Sequence, residues 1–235
     1  PQMVFMPAAA IAGAIWWRLH KRAAEPDAPV QPLAEPDPSR IGLDEVSDHT
    51  LVTIEVGYGL VHLIDDRHGS PLVSRITGVR KQLCQELGFI VPQFRIRDAI
   101  DLSPNDYRIT LGGVPLGGAS ILPDKVLAID AGDVIPDNAI AGEATKDPSF
   151  GCPAVWIERS QKDHAIAQGY LTVDSGTVIA THLNQLLSQQ PEQLLGPDQV
   201  HDLLQSVKEH AAQLVETVYP QPLTLAALTR ILRTL

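Results

Sequence analysis

The chain has 235 residues, of which 44% are hydrophobic and 20% charged, enough apolar material for one large globular domain or two small ones. Its formal net charge of -10 argues against nucleic-acid binding, because contact with phosphates needs a clustered excess of lysine and arginine. The two cysteines, Cys84 and Cys152, are too far apart for a CxxC metal pair, and their spacing does not establish a disulfide. A reducing compartment is therefore the default expectation.

The first segment differs in composition from the rest. "PQMVFMPAAAIAGAIWW", residues 1–17, carries no charge, and the basic cluster "RLHKR" follows it. A signal peptide would carry its positive charge before the apolar core, and a buried helix would not need two tryptophans beside basic residues. As a helix this segment would rise about 26 Å, against a hydrocarbon core of roughly 30 Å. We predict that residues 1–22 are the end of a membrane helix, with the chain after about residue 18 in the cytoplasm.

A proline-rich stretch follows the apolar segment. Residues 23–48, "AAEPDAPVQPLAEPDPSRIGLDEVSD", combine repeated prolines and acids with no apolar periodicity, which is typical of a semi-extended linker. The sequence thus predicts a globular region tethered near a membrane surface.

The globular region begins with an alternating pattern. In "LVTIEVGYGL", Val52, Ile54 and Val56 alternate with Thr53 and Glu55, a period of two that predicts a half-buried strand. The first strand should therefore have one face in the core and one face toward solvent.

A helix and further strands follow. "SRITGVRKQLCQELG" has apolar residues at helical spacing and ends at Gly88. "QFRIRD" and "NDYRITLGGVPLGG" alternate around central isoleucines and predict strands, with a turn at the Gly112–Gly113 pair. Residues 114–145 are rich in glycine, proline and aspartate, and "KVLAID" is their one clear strand, so we interpret this stretch as short strands and loops.

The second half alternates strands with helices before becoming helical. "AVWIE" and "YLTVD" predict strands, and "SQKDHAIAQG" predicts a short helix ended by Gly169. "SGTVIATHLNQLLSQQ" predicts a helix capped by Ser175. "GPDQVHDLLQSVKEH", with Pro197 near its first turn, and "LTLAALTRILRTL" predict further helices. The mixture predicts an α+β fold.

One motif is compatible with catalysis. The sequence contains no phosphate-binding glycine loop, nucleophile elbow or HExxH zinc motif. "VDSGT", residues 173–177, has the form used by aspartic proteases, in which two carboxylates share a proton. The second approximate copy, around Asp130, lacks the hydroxyl residue after the aspartate. We favour a helix-start role for Asp174 and Ser175, with an aspartic protease that uses Asp174 as the alternative.

The eight histidines suggest no metal site. No two of them have the i, i+4 spacing of a helical ligand pair, so neither a metal nor a cofactor is expected. His182 lies inside a predicted helix beside Thr181, where a packed or hydrogen-bonded histidine is more frequent than a catalytic one.

Several blocks occur together in an order that one protein family shares. They are "EVGYGLVHLIDDRHGSPLVSRITGVRKQLCQELGFIVPQFRIRDAIDLSPNDYRITLGGV", "KDPSFGCPAVWIE" and "GYLTVDSGTVIATHLNQLL". In them the chain resembles the FlhA family of export-gate proteins of the flagellar type III secretion system. Injectisome gate proteins share that fold and are the alternative, but "GYGLVHLID", "RIRDAIDLSPNDYRI" and "ATHLNQLL" are closer to the flagellar branch. Family members are much longer, so the chain resembles a fragment.

The resemblance implies a non-enzymatic function. It implies an inner-membrane export gate whose cytoplasmic region forms a homo-oligomeric, nonameric ring and receives flagellar export chaperones with their cargo. It also implies contacts with other export components, including the ATPase complex and the companion gate protein.

The resemblance also implies a division of the chain and a docking site. After the membrane-helix end and the linker, it implies a first α/β subdomain over 49–125 with 175–194, an inserted second subdomain over 126–174 and the start of a helical third subdomain over 195–235. In that family a hydrophobic dimple between subdomains docks chaperones, and its motif residues fall here on Asp147, Phe150 and Thr181. The chain departs from the family pattern at Cys152 and Pro153, next to the rim of the dimple, and keeps the three motif residues.

The local sequence favours exposure of Phe150. In "KDPSFGCPAVWI" it stands between a serine and a glycine, two residues after a proline, on a turn-like segment where binding residues concentrate. The alternative is that Phe150 fills a seam between the insert and the main domain, the commoner fate of an isolated phenylalanine. Because Asp147 is a poor neighbour for a sealed core, we predict a partly exposed side chain.

Overall fold

The computed structural model describes residues 51–64, 71–134 and 140–234. The elements below belong to one unit, Asp48–Leu235. The predicted membrane-helix end, residues 1–22, and the predicted linker, residues 23–48, lie outside the described residues. Within the described ranges, every helix is too short or too polar to cross a bilayer.

The first sheet has four strands in the order β2-β1-β3-β4. Its strands are β1 (Val52–Val56), β2 (Phe94–Asp98), β3 (Asp106–Leu111) and β4 (Val114–Ser120). β1 and β2 are parallel, and helix α1 (Pro71–Leu87) connects them, whereas the β1–β3 and β3–β4 pairs are antiparallel. A short 3-10 helix, Tyr58–Leu63, follows β1.

The turn between β3 and β4 agrees with the sequence, and β4 falls in the stretch for which short strands and loops were predicted. Gly112 and Gly113 have φ angles of 56° and 82°, the left-handed conformation that we predicted for this pair. Residues 114–120, which lie in the stretch interpreted above as short strands and loops, form β4. Its proline and glycines suppress the alternating pattern, and they are tolerated because β4 is an edge strand.

The prediction of a half-buried β1 is wrong, because all five of its residues are buried. Glu55 is only 3% exposed, since the sheet register places it between Arg97 of β2 and Arg108 of β3. Both arginines donate hydrogen bonds to its carboxylate. Burial by itself would raise the pKa of Glu55, but the hydrogen bonds and charges of the two arginines outweigh it and hold the pKa below its usual value.

The second sheet is antiparallel, with the order β6-β7-β5-β8. Its strands are β5 (Lys125–Ile129), β6 (Glu143–Lys146), β7 (Pro153–Glu158) and β8 (Leu171–Asp174). A 3-10 turn, Arg159–Gln161, and helix α2 (Lys162–Ala167) connect β7 with β8. Gly169 follows α2 with φ 93°, as the sequence predicted for the end of this helix.

The remaining elements are helical. They are α3 (Ser175–Ser188), α4 (Pro191–Leu194), α5 (Pro197–Val218) and α6 (Leu225–Leu232). Pro197 occupies the first turn of α5, as predicted. Two sheets with flanking helices confirm the predicted α+β class.

Helix α3 lies where the two sheets share a core. Its buried residues belong to the same apolar cluster as β1 and β3 of the first sheet and as Leu127 and Trp156 of the second. The opposite face of the second sheet packs separately, with Val126 and Ala128 against Ala165 of α2. The apolar face of α3 therefore packs in a core that contains residues of both sheets.

Candidate functional site

The turn that connects β6 with β7 contains two of the three predicted docking residues. Asp147 donates its backbone N–H to the carbonyl of Cys152 at 2.9 Å, and Gly151 donates to the carbonyl of Asp147 at 2.8 Å. Gly151 has φ 73°, so the chain reverses at a residue without a side chain to strain. We call residues 147–151 the docking turn.

Asp147 holds this turn from the inside. Its side chain is only 4% exposed, and Oδ2 accepts a hydrogen bond from the backbone N–H of Phe150 at 2.8 Å. An aspartate that accepts from a nearby main-chain N–H is a common way to fix a turn. Our reason for expecting an open site, that Asp147 would not be buried, is therefore wrong for Asp147 itself.

Phe150 points away from the core. Its side chain is 66% exposed, while its N–H is tied inward to Asp147. The predicted exposure of Phe150 is confirmed, and the alternative that it fills a seam between subdomains is wrong. Docking of a partner on Phe150 stays a prediction.

The third predicted residue, Thr181, lies half-buried on α3, directly before His182. The charge of Asp147 raises the pKa of the neighbour of Thr181 in sequence, His182, and so offsets part of the lowering caused by burial. The structure therefore joins Asp147 and Phe150 in one turn and places Thr181 on helix α3.

A buried polar pair between β3 and α3 was not predicted as a pair. The hydroxyl oxygen of Tyr107 lies 2.7 Å from Nδ1 of His182, and the two rings meet edge to face with centroids 5.8 Å apart. The side chains are 1% and 6% exposed. The expectation that His182 is packed and hydrogen-bonded is confirmed. Its partner comes from β3, 75 residues earlier, and no local sequence pattern identifies it.

Burial controls the protonation of this pair. It raises the pKa of the Tyr107 hydroxyl, and the charge of Asp147 raises it further, so Tyr107 keeps its proton. Burial lowers the pKa of His182, an effect that Asp147 offsets in part. The imidazole is therefore neutral at neutral pH.

The start of α3 uses Asp174, not Ser175, as its cap. Asp174 Oδ1 accepts from the N–H of Thr177 at 3.0 Å, and Oδ2 receives Arg75 Nη2 of α1 at 2.8 Å. Ser175 is the first helical residue, and its hydroxyl donates to the carbonyl of Leu122 at 3.2 Å. The helix-start interpretation of the "VDSGT" motif is thus confirmed for Asp174, and the assignment of the cap to Ser175 is wrong.

In the part of the chain that the structure describes, no three His, Cys, Asp or Glu residues are grouped as metal ligands. Cys84 and Cys152 are both free thiols. The docking turn presents an exposed aromatic ring on a hydrogen-bonded backbone, which suits recognition of another protein.

Comparisons with known proteins agree with this description. Residues 1–235 match the FHIPEP family. The flagellar biosynthesis protein FlhA of Escherichia coli strain K12 is 37% identical over 239 residues, covering 100% of this chain and 34% of that protein. The Chlamydia pneumoniae CdsV and CdsO complex gives a TM-score of 0.64 at 24% identity, covering 77% of this chain and 56% of that chain. Nonameric EPEC SctV-C gives a TM-score of 0.52 at 14% identity, covering 78% of this chain and 52% of that one.

The two solved structures have the same fold as this chain. Their sequence identities support no conclusion beyond the fold. The chain spans about a third of the length of the Escherichia coli relative. Because the family match extends over all 235 residues and the curated relative is similar throughout this chain, the chain belongs to the FHIPEP family.

Proposed function

We propose that this chain is part of a flagellar export gate and that its docking turn receives export chaperones carrying their cargo. The flagellar assignment is favoured over an injectisome gate because a relative that is 37% identical over the whole of this chain is a flagellar biosynthesis protein. The docking role rests on the geometry of the turn together with the family resemblance of Asp147, Phe150 and Thr181.

The observation that carries the proposal is the 66% exposure of Phe150 on a turn that is itself held rigid. Interface energy is concentrated in a few residues, aromatic ones prominent among them, that enter pockets on the partner. A side chain whose backbone is already fixed loses less conformational entropy on binding than one on a mobile loop. Phe150 therefore has the properties of an anchor residue.

The other two residues have different roles in this proposal. Thr181 is half-buried on α3, and in this proposal its small hydroxyl-bearing side chain contacts the same partner as Phe150. Asp147 is buried and contributes by holding Phe150 in place, with little direct contact to a partner.

We extend the proposal to the assembly and its surroundings. The chain would form a homo-oligomeric ring, as the nonameric SctV-C does, and would be attached to the bacterial inner membrane through residues 1–22. The second sheet would be the inserted subdomain of residues 126–174, and α5 with α6 the start of the third. A CdsO-like protein, the ATPase complex and the companion gate protein are the further partners we propose.

The test compares binding with stability in one variant. Calorimetric titration of a purified chaperone–cargo complex into Phe150→Ala should show a loss of about 2 kcal/mol, roughly 30-fold in affinity. Thermal melting of the same variant should change little, because truncating an exposed ring does not create the cavity responsible for the roughly 3–5 kcal/mol cost of a core phenylalanine. Thr181→Ala should weaken binding in the same direction.

The matched control is Tyr58→Ala. Tyr58 is an 85% exposed aromatic residue on the 3-10 helix that follows β1, outside the docking turn. Its truncation should leave chaperone affinity unchanged. Equal losses in both variants would indicate non-specific adhesion to exposed aromatics, and normal binding by Phe150→Ala would refute docking at this turn.

A further inference from the structure

Strand β4 has an open outer edge. Among the residues that the structure describes, it pairs with β3 and with no other strand. Its seven residues, Val114–Ser120, carry no charge, whereas edge strands often carry lysines or other charged side chains that discourage further pairing. Gly118 and Ser120 are exposed. The outer edge of β4 is therefore accessible to another polypeptide.

The hydrogen bonds of β3 show which of its backbone groups face β4. Gly57 donates its N–H to the carbonyl of Asp106 at 2.8 Å, and Gly112 donates to the carbonyl of Leu51 at 2.6 Å. Backbone groups alternate in direction along a strand, so the even-numbered positions of β3 face β1 and the odd-numbered positions face β4. The register between β3 and β4 then fixes the direction of each residue in β4.

Two residues of β4 direct their backbone groups outward. Tyr107 is opposite Ala119, so Ala119 exchanges hydrogen bonds with β3. Gly118 and Ser120, on either side of Ala119, therefore point their N–H and C=O groups away from β3. An exposed row of this kind is a template to which an extended peptide can add as a further strand.

This end of β4 is held firmly by its neighbours. A Cβ atom added to Gly118 would lie 2.4 Å from the carbonyl oxygen of Tyr107, and one added to Gly117 would lie 3.0 Å from Leu186 of α3. The strand thus packs closely against both β3 and α3. A template that is already fixed loses little conformational entropy when a peptide binds to it.

The opposite end of β4 is less suitable for pairing. Pro115 has no N–H to donate, and the register with β3 shifts between Ile109 and Thr110. A cavity of about 540 Å³ lies along the strand and can receive a side chain of an added peptide. Its lining includes Leu102, Asp106, Arg108, Pro115, Gly118 and Ser120.

We propose that residues 116–120 of β4 bind an extended, uncharged segment of the cargo as an added strand of the first sheet. The choice of the cargo as the source of this segment rests on the function proposed above. A polypeptide that a chaperone holds in a non-native state has unpaired backbone groups, whereas those of the folded chaperone are already paired. An uncharged segment fits because β4 itself offers no counter-charge.

The size of the edge argues against a second copy of this chain as the occupant. A five-residue strand makes a contact strip about 17 Å long and about 10 Å deep, roughly 340 Å² over both partners. A stable complex of two folded proteins buries at least about 1,200 Å². Strand addition at β4 is therefore too small to hold two copies together, and it suits a segment that another contact has already brought close.

The first experiment measures amide hydrogen exchange of the chain by NMR, without partner, with the chaperone alone and with the chaperone–cargo complex. Strand addition should raise the protection factors of the Gly118 and Ser120 amides about tenfold in the complex. The Ala119 amide, which faces β3, should be protected in all three samples. Unchanged exchange at Gly118 and Ser120 would overturn the inference. Equal protection by the chaperone alone would overturn the assignment of the segment to the cargo.

A pair of substitutions tests the outward hydrogen bond itself. Ser120→Pro removes an outward N–H, so affinity for the chaperone–cargo complex should fall about fivefold, as is typical of one lost hydrogen bond. Ser120→Ala keeps the N–H and should bind like the wild type. Equal losses in both variants would assign the effect to the serine side chain, and strand addition would be wrong. Should thermal melting show that Ser120→Pro is unfolded, the exchange measurement on the wild type decides.

The outcomes separate this inference from docking at Phe150. If Phe150→Ala weakens binding while the wild-type Gly118 and Ser120 amides stay unprotected in the complex, the inference fails and docking stands. If Phe150→Ala binds normally and the two amides become protected, docking at that turn fails and strand addition stands. Protection that rises with chain concentration in the absence of any partner would identify a second copy as the occupant and would overturn the inference.

Discussion

The carboxylate of Asp147 accepts a hydrogen bond from the backbone N–H of Phe150, with 2.8 Å between Oδ2 and the nitrogen, so a buried acid fixes the position of an exposed aromatic. Asp147→Ala should cost about 2 kcal/mol in the free energy of unfolding, because it leaves a main-chain donor without its charged acceptor. Denaturant unfolding measures this cost. Asp147→Asn should recover much of it, since the amide oxygen can accept the same bond; no recovery would mean that the charge, rather than the hydrogen bond, stabilises the turn.

Asp174 gives a prediction about the start of α3. Asp174→Ala should destabilise the protein by about 1 kcal/mol, because the N–H of Thr177 loses its cap. Asp174→Asn should stay near the wild-type stability, since asparagine caps equally well and the lost ion pair with Arg75 is largely exposed. Thermal unfolding of both variants separates the two contributions. Equal destabilisation by Ala and Asn would assign the effect to the ion pair.

Glu55 should make stability depend on pH in the acidic range. Its folded-state pKa lies below the usual value of 4.5, so its contribution to stability is present above that pH and is lost as the pH falls through the folded-state value. Glu55→Gln should lower the free energy of unfolding at neutral pH by about 2 kcal/mol, which is typical of hydrogen bonds to charged groups. It should also make the melting temperature fall less steeply as the pH is lowered, along the acid limb of the curve of melting temperature against pH.

A surface acid provides the control for Glu55. Glu158 is exposed on β7, outside the network of Arg97 and Arg108. Glu158→Gln should leave the shape of the acid limb unchanged. An acid limb that stays as steep in Glu55→Gln as in wild type would show that other carboxylates cause the loss of stability.

Substitution by alanine should change the stability of the protein in opposite directions at two glycines. At Gly117 a Cβ atom would lie 3.0 Å from Leu186 Cδ1 and 3.2 Å from His182 Nε2, so Gly117→Ala should destabilise by about 1 kcal/mol through overpacking. At Gly78, inside α1, a Cβ atom would meet nothing within 4 Å, so Gly78→Ala should stabilise by about 1 kcal/mol. Melting temperatures test both. A stabilised Gly117→Ala would mean that β4 can move away from α3.

Local sequence patterns predict the backbone conformation correctly where that conformation depends on residues that are close in sequence. The Gly112–Gly113 turn, the end of α2 at Gly169 and the first turn of α5 at Pro197 were each predicted and found. In all three, the residue's own backbone geometry sets the outcome. β4 was predicted only as part of a stretch of short strands and loops, because its proline and glycines have weak intrinsic strand preference and it is the pairing with β3 that makes them a strand.

The sequence by itself determined the α+β class, the family and the turn that bears Phe150, because periodicity, glycine positions and extended motifs are properties of the linear chain. The tertiary structure alone decided which polar groups are buried. Glu55 is enclosed because two other strands bring arginines to it, and Tyr107 meets His182 across 75 residues of sequence. Burial depends on which distant elements cover a side chain, and the cost of burying a charge or an imidazole is settled only when its partners have been brought together.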